Sequence, residues 1–218
     1  MKTLTMFWQR SDEKQVLLIS SMFSMALVGF RFIYTGYPLF IFLAWNLFLA
    51  FIPFMISGWL LKQEKRSRLL MAAAFIAWLL FIPNAFYIIT DLFHLPLNES
   101  VPLWYDLALL LSFAWSGILF GVISVRQMEK TIEQFAGRSF GMFFILPVMF
   151  MNGLGVYIGR YLRFNSWDVI ANPLQLAKDI IYLFIHPFRN NMDWGMILCY
   201  TMLMTIIYTA IKKLSKVL

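Results

Sequence analysis

Four polar side chains stand in line where an apolar stretch ends. In FIPNAFYIITDLFHL, residues 81–95, Asn84, Tyr87, Asp91 and His94 follow one another at spacings of 3, 4 and 3, which place them on one stripe of a helix that continues that far. Their types matter as much as their spacing. An amide and a phenol offer hydrogen bonds, and a carboxylate with an imidazole can exchange a proton or hold a cation. Asp91 and His94 present oxygen and nitrogen on one face, and Asp106 or Glu99 from the next segment would supply further oxygen for Mg²⁺ or Ca²⁺. Only 2 histidines occur in the chain, so a three-histidine zinc site is excluded.

Two other stretches carry chemistry. Asp106, in VPLWYDLALLLSFAWSG, lies about five residues inside an apolar run, where a carboxylate must be paired, protonated or hydrated; it is the strongest single candidate. GRYLRFNSWD, residues 159–168, supplies Arg160 and Arg163 beside Asn165 and Asp168. Guanidinium groups make forked, charge-assisted bonds to phosphate or carboxylate, and their expected internal partners are Asp91 and Asp106. Asn46, in WNLFLAFIP, adds an amide from another apolar segment, on one face with Ala50, Pro53 and Ser57. No nucleophile-elbow sequence or Cys–His pairing points to covalent catalysis.

The elements that must position these residues are membrane helices. Of 218 residues, 61% are hydrophobic and 13% charged, which does not suit a water-solvated surface. Six apolar stretches are each long enough to cross a hydrocarbon core of ~30 Å: Val16–Tyr34, Tyr37–Leu61, Leu69–Thr90, Val101–Val125, Phe140–Gly159 and Met192–Ile211. Backbone amides in lipid must be satisfied within the segment, so the expected fold is an all-α, six-span bundle in one domain, residues 1–218. Leu174–Ile185 is shorter and contains Lys178 and Asp179; it is expected to lie at the outer interface or re-enter. Pro83 removes an amide donor, so the stripe around it should face protein or a wet cavity.

Of the 18 basic residues, only Arg31, Arg160, Arg163, Lys178 and Arg189 fall on the side opposite the termini. The positive-inside rule therefore places both termini in the cytoplasm. The net charge of +7 is divided among short loops, which fits contact with anionic lipids and not nucleic acid. The first apolar run is span-length without an obvious cleavage site, so it is expected to remain as an anchor. Cys199 is the sole cysteine, which excludes an internal disulfide. Most tryptophans fall near span ends, as interfacial anchors do, and Gly155 and Gly159 form a small-xxx-small pair that permits close helix contact.

WNLFLAFIP (45–53), PNAFYIITDLFHL (83–95) and GRYLRFNSWD (159–168), in this order on a multi-pass chain, resemble the bacterial membrane family known as domain of unknown function 1361, over roughly Tyr37–Pro173. The resemblance implies a polytopic protein of the bacterial cytoplasmic membrane and carries over no catalytic residue. The residues themselves support a protein that binds or transports a small anionic or lipid-phosphate ligand in an outward-facing pocket formed by Asn46, Asn84, Tyr87, Asp91, His94, Asp106, Arg160, Arg163, Asn165 and Asp168. The alternatives are an intramembrane enzyme on a lipid-linked substrate, with Asp106 as acid or base and His94 as its proton partner, and an assembly subunit that docks another membrane protein.

Overall fold

The computed structural model describes residues 2–63, 67–95 and 101–215. Among them the chain is helical, without a strand: α1 Lys2–Thr35, α2 Phe42–Lys62, α3 Arg68–Tyr87, α4 Leu103–Ala136, α5 Arg138–Tyr157, α6 Asp168–Ala171, α7 Pro173–Ile185 and α8 Asn191–Leu214. A 3₁₀ segment, Ile88–His94, extends α3, and a π-helical turn, Ile158–Leu162, extends α5. Among the described residues six helices are long and apolar enough to cross a membrane, and this is a multi-pass membrane protein. An even number of spans brings both termini to one end of the bundle.

The central rod is α4. In its most apolar window 67% of residues are buried inside the protein, against 22% to 44% for the other spans, and α1, α2, α3, α5 and α8 all pack on it. Lipid tails are as apolar as leucine, so close packing and internal hydrogen bonds hold such rods together. Small residues allow the approach. A Cβ on Gly117 of α4 would come within 2.7 Å of the Ala85 carbonyl oxygen of α3, and one on Gly155 of α5 would meet the Pro83 ring at 2.6 Å. The α4–α5 turn is made at Gly137, whose φ of 92° an L side chain would strain.

Polar side chains buried between the helices pair with one another. Near the end opposite the termini, Arg31 of α1 forks onto Asp106 of α4, Nε to Oδ1 at 2.7 Å and Nη2 to Oδ2 at 3.0 Å, with the guanidinium over the Phe40 ring at 4.7 Å. About halfway down, Ser116 of α4 shares hydrogen bonds with Ser20 and Ser24 of α1, and nearer the end bearing the termini Ser57 donates to Gln127 Oε1 at 2.8 Å and Trp78 donates to Ser124 Oγ at 2.8 Å. At the end bearing the termini, buried Glu129 of α4 receives Arg126, Lys212 of α8 and the Tyr208 hydroxyl. Glu129 stands beyond the expected end of its span at Val125, because α4 continues to Ala136.

α7 is amphipathic and too short to span, as expected of an interfacial segment. Leu183 is buried while Leu174, Ile181 and Ile185 are exposed.

Two consequences can be measured by thermal unfolding in detergent. Asp106→Ala leaves the Arg31 charge buried without a partner and should cost about 3–5 kcal/mol, whereas R31M/D106L removes both charges and should recover most of that loss. Equal losses in the two variants would mean that packing and not charge decides. Gly155→Leu should cost about 1–3 kcal/mol by forcing α5 off the rigid Pro83 ring, and an unchanged melting temperature would contradict the close α3–α5 contact.

Candidate functional site

The helices near the end opposite the termini do not close on one another. α2, α3, α5 and α7 leave a cavity of about 790 Å³ between them; α3 and α5 contribute where their backbones leave regular α-helix, and α2 where Asn46 interrupts its apolar sequence.

Asn46 enters from the first turns of α2. Pro83, inside α3, cannot donate to Leu79, one turn earlier. In the turn so opened, Ser166 Oγ donates to the Leu80 carbonyl at 3.1 Å, and Asn84 Nδ2 donates to Ser166 Oγ at 2.9 Å and to the Phe81 carbonyl at 3.0 Å. The loop after α5 is thereby tied back onto α3. Beyond Tyr87 the backbone tightens into 3₁₀ geometry, in which residues three apart eclipse, so Asp91 and His94 align at the rim. The stripe Asn84, Tyr87, Asp91 and His94 lines the cavity throughout.

On the facing side the π turn carries Arg160, and Arg163 closes it in the left-handed region at φ 59°. That conformation costs a non-glycine residue about 1–3 kcal/mol, and glycine is the usual occupant of such a helix end. Despite that cost an arginine stands there, among the residues that line the cavity.

Asp91 is the buried anion of the site. Its Oδ2 accepts from Asn46 Nδ2 at 2.8 Å, while Arg160 Nη1 lies 3.6 Å and His94 Nδ1 3.8 Å from Oδ1. Arg160 also reaches His94 Nδ1 at 3.4 Å and Tyr87 Oη at 3.5 Å, and lies 5.2 Å over the Phe93 ring. These are long contacts for a group with five donors. Arg163 is exposed and forms no ion pair among the described residues. Two arginines, Arg160 and Arg163, and one aspartate, Asp91, thus line the cavity. Leu79, Leu80, Met151, Leu154, Leu176 and Ile180 make apolar walls below them.

Of the residues singled out from sequence, Asn46, Asn84, Tyr87, Asp91, His94, Arg160, Arg163 and Asn165 line this cavity, and Asp106 and Asp168 do not. The expected pairing of Asp106 with Arg160 or Arg163 is corrected: both its oxygens are taken by Arg31, which lies at matching depth on α1. Asp106 and His94 therefore share no reaction point. Asp168 turns to the backbone, accepting from the Asn165 amide at 2.6 Å, and so shapes the loop that carries Asn165 and Ser166. Asp106 is also removed from the considered cation set, Glu99 lies outside the described residues, and among those no group of three or more His, Cys, Asp and Glu could hold a metal. Sequence reasoning missed the role of Arg31, although an arginine inside an apolar run is the mirror of the signal that drew attention to Asp106. It missed Leu176 and Ile180 as well, because an interfacial helix does not announce which neighbour it covers.

Comparison with curated proteins and with solved structures finds no match. A family model matches residues 45–207, from α2 into α8, a region that holds every cavity-lining residue but Phe42. The chain belongs to the family described as protein of unknown function, DUF1361.

Proposed function

We propose that this membrane protein binds or carries an anionic, lipid-type ligand, with the negative headgroup against Arg160 and Arg163 and the apolar part between the hydrophobic walls. The observation that carries the reading is the charge imbalance of the lining: Arg160 and Arg163 with one aspartate, Asp91, in a cavity whose walls include Leu79, Leu80, Met151, Leu154, Leu176 and Ile180. A volume of about 790 Å³ falls within the range of small-ligand sites, ~300–1,000 Å³. Phosphate and carboxylate are the anions that the forked guanidinium geometry fits best.

The distribution of basic residues supports an orientation with the termini in the cytoplasm and the cavity toward the exterior of a bacterial cytoplasmic membrane. Membrane lipid would then be both solvent and source of ligand. An acid–base enzyme is less well supported, since Asp106 is held by Arg31 away from the cavity.

Two measurements test this proposal. Arg163→Gly suits the left-handed backbone and removes the charge; it should lower phosphatidylglycerol binding to the delipidated protein by roughly tenfold or more while leaving the melting temperature unchanged or raised. Native mass spectrometry with phosphatidylglycerol and uncharged diacylglycerol reads this, and equal retention of the two lipids by the unaltered protein would refute the reading. For orientation, Asn165→Cys in a C199S background should react with a membrane-impermeant maleimide in intact cells, and Ser215→Cys only after permeabilisation. The opposite pattern would turn the cavity inward.

A further inference from the structure

Three carboxylates are buried among the described residues: Asp91, Asp106 and Glu129. Two of them are saturated. Asp106 has both oxygens on Arg31, and Glu129 is engaged by Arg126, Lys212 and Tyr208. Asp91 differs. Its Oδ2 accepts from Asn46, but Oδ1, equally buried, accepts no hydrogen bond among the described residues. Arg160 and His94 stop 3.6 and 3.8 Å from it, beyond the roughly 3.2 Å reach of an N–H···O bond. A buried charged acceptor left unmade is costly, and here it belongs to a residue that lines the cavity.

We propose that the headgroup bound in this cavity carries a hydrogen-bond donor, an ammonium or a hydroxyl, beside its negative charge, and that this donor docks on Asp91 Oδ1 while the anion engages Arg160 and Arg163. The inference rests on the anionic-headgroup reading above. Asn46 holds the carboxylate by its other oxygen and so fixes the direction in which Oδ1 is presented. Arg160 stands beside Oδ1 without bonding it, which places the anion and donor subsites within the span of one headgroup. The His94 side chain, the other neighbour of Oδ1, is 45% exposed, so a rotamer change at the rim uncovers the oxygen. A quaternary ammonium has the same charge as a primary one but no N–H, and it leaves Oδ1 as it is in the empty cavity.

That difference supplies the experiment. Delipidated protein in detergent is titrated with phosphatidylethanolamine, phosphatidylcholine and phosphatidylglycerol of matched chains, and with soluble glycerophosphoethanolamine and glycerophosphocholine, by native mass spectrometry. The two lipids with donors should bind at least about tenfold tighter than phosphatidylcholine. Asp91→Asn, which keeps an oxygen for Asn46 but can turn an amide donor toward the cavity, should erase the preference. The lipid comparison uses the unaltered protein and stands whether or not the variant folds. A preference equally large in the soluble pair keeps the inference and assigns the headgroup to a free solute. Equal binding of the three lipids, still weakened by Arg163→Gly, overturns the donor subsite and leaves the anionic reading intact. Lipid binding indifferent to Arg163→Gly and to headgroup overturns both.

Discussion

A polar group shut away from water must find its partner inside the protein, and this constraint orders the whole bundle. Hydrocarbon offers no hydrogen bonds, so buried polar side chains turn to their own helix backbone, as Thr131 and Thr201 do, or close contacts between helices. Arg31 with Asp106 joins α1 to α4 at one end, and Glu129 with Lys212 and Tyr208 joins α4 to α8 at the other. Between them Ser57, Gln127, Ser124 and Trp78 join α2, α3 and α4. The closed contacts account for why α4 is the hub: it supplies a polar partner at three depths.

The loosely held charges, Asp91 and Arg160, lie at the cavity, and the backbone explains how they are presented. α-Helix geometry pairs each interior carbonyl with an amide four residues on, which fixes the direction of every side chain it carries. At the cavity that geometry is broken repeatedly, by Pro83 in α3, the 3₁₀ segment that carries Asp91 and His94, the π turn that carries Arg160 and the left-handed Arg163. Each departure re-aims a side chain. Ser166 docks on this turn of α3, donating to the Leu80 carbonyl and accepting from Asn84, so the loop that bears Arg163 and Asn165 is tied to the helix beside the proline that interrupts it. π turns and strained residues are common at functional sites, and here both occur within one chain segment of the cavity.

Much of this was legible in the sequence, and the illegible part has a common cause. Apolar length alone marked the six spans, because crossing a bilayer demands it. The stripe from Asn84 to His94 was legible because its spacing survives a change from α to 3₁₀ geometry: three residues is a turn in one and nearly a turn in the other. Partner choice was not legible. Arg31 and Asp106 sit at matching depths on spans far apart in sequence, and depth alone does not say which helices touch. Asp91 and Asp106 therefore looked equivalent as partners for the two arginines, and only the placement of α1 against α4 separates them. The extension of α4 past Val125 was hidden for a related reason: apolar length ends at Val125, and the partners that enclose Glu129 from α8, Lys212 and Tyr208, lie far along the chain.

The two arginine sites show what distinguishes structural from receptive charge. Arg31 is forked onto a carboxylate at hydrogen-bond distance and is 2% exposed, so its charge is neutralised and its donors are aimed inward. Arg160 makes only contacts of 3.4 to 3.6 Å to His94, Tyr87 and Asp91, and Arg163 makes no ion pair among the described residues. An ion at a membrane rim keeps part of its hydration, which lowers the cost of leaving it unpaired. The same ion, once covered by a ligand that excludes that water, interacts more strongly with an opposite charge because the local dielectric falls. On the proposed function, a loosely held guanidinium such as that of Arg160 would change from a tolerated charge to a strong anchor as a headgroup arrives, whereas Arg31, already saturated in the core, has nothing left to offer.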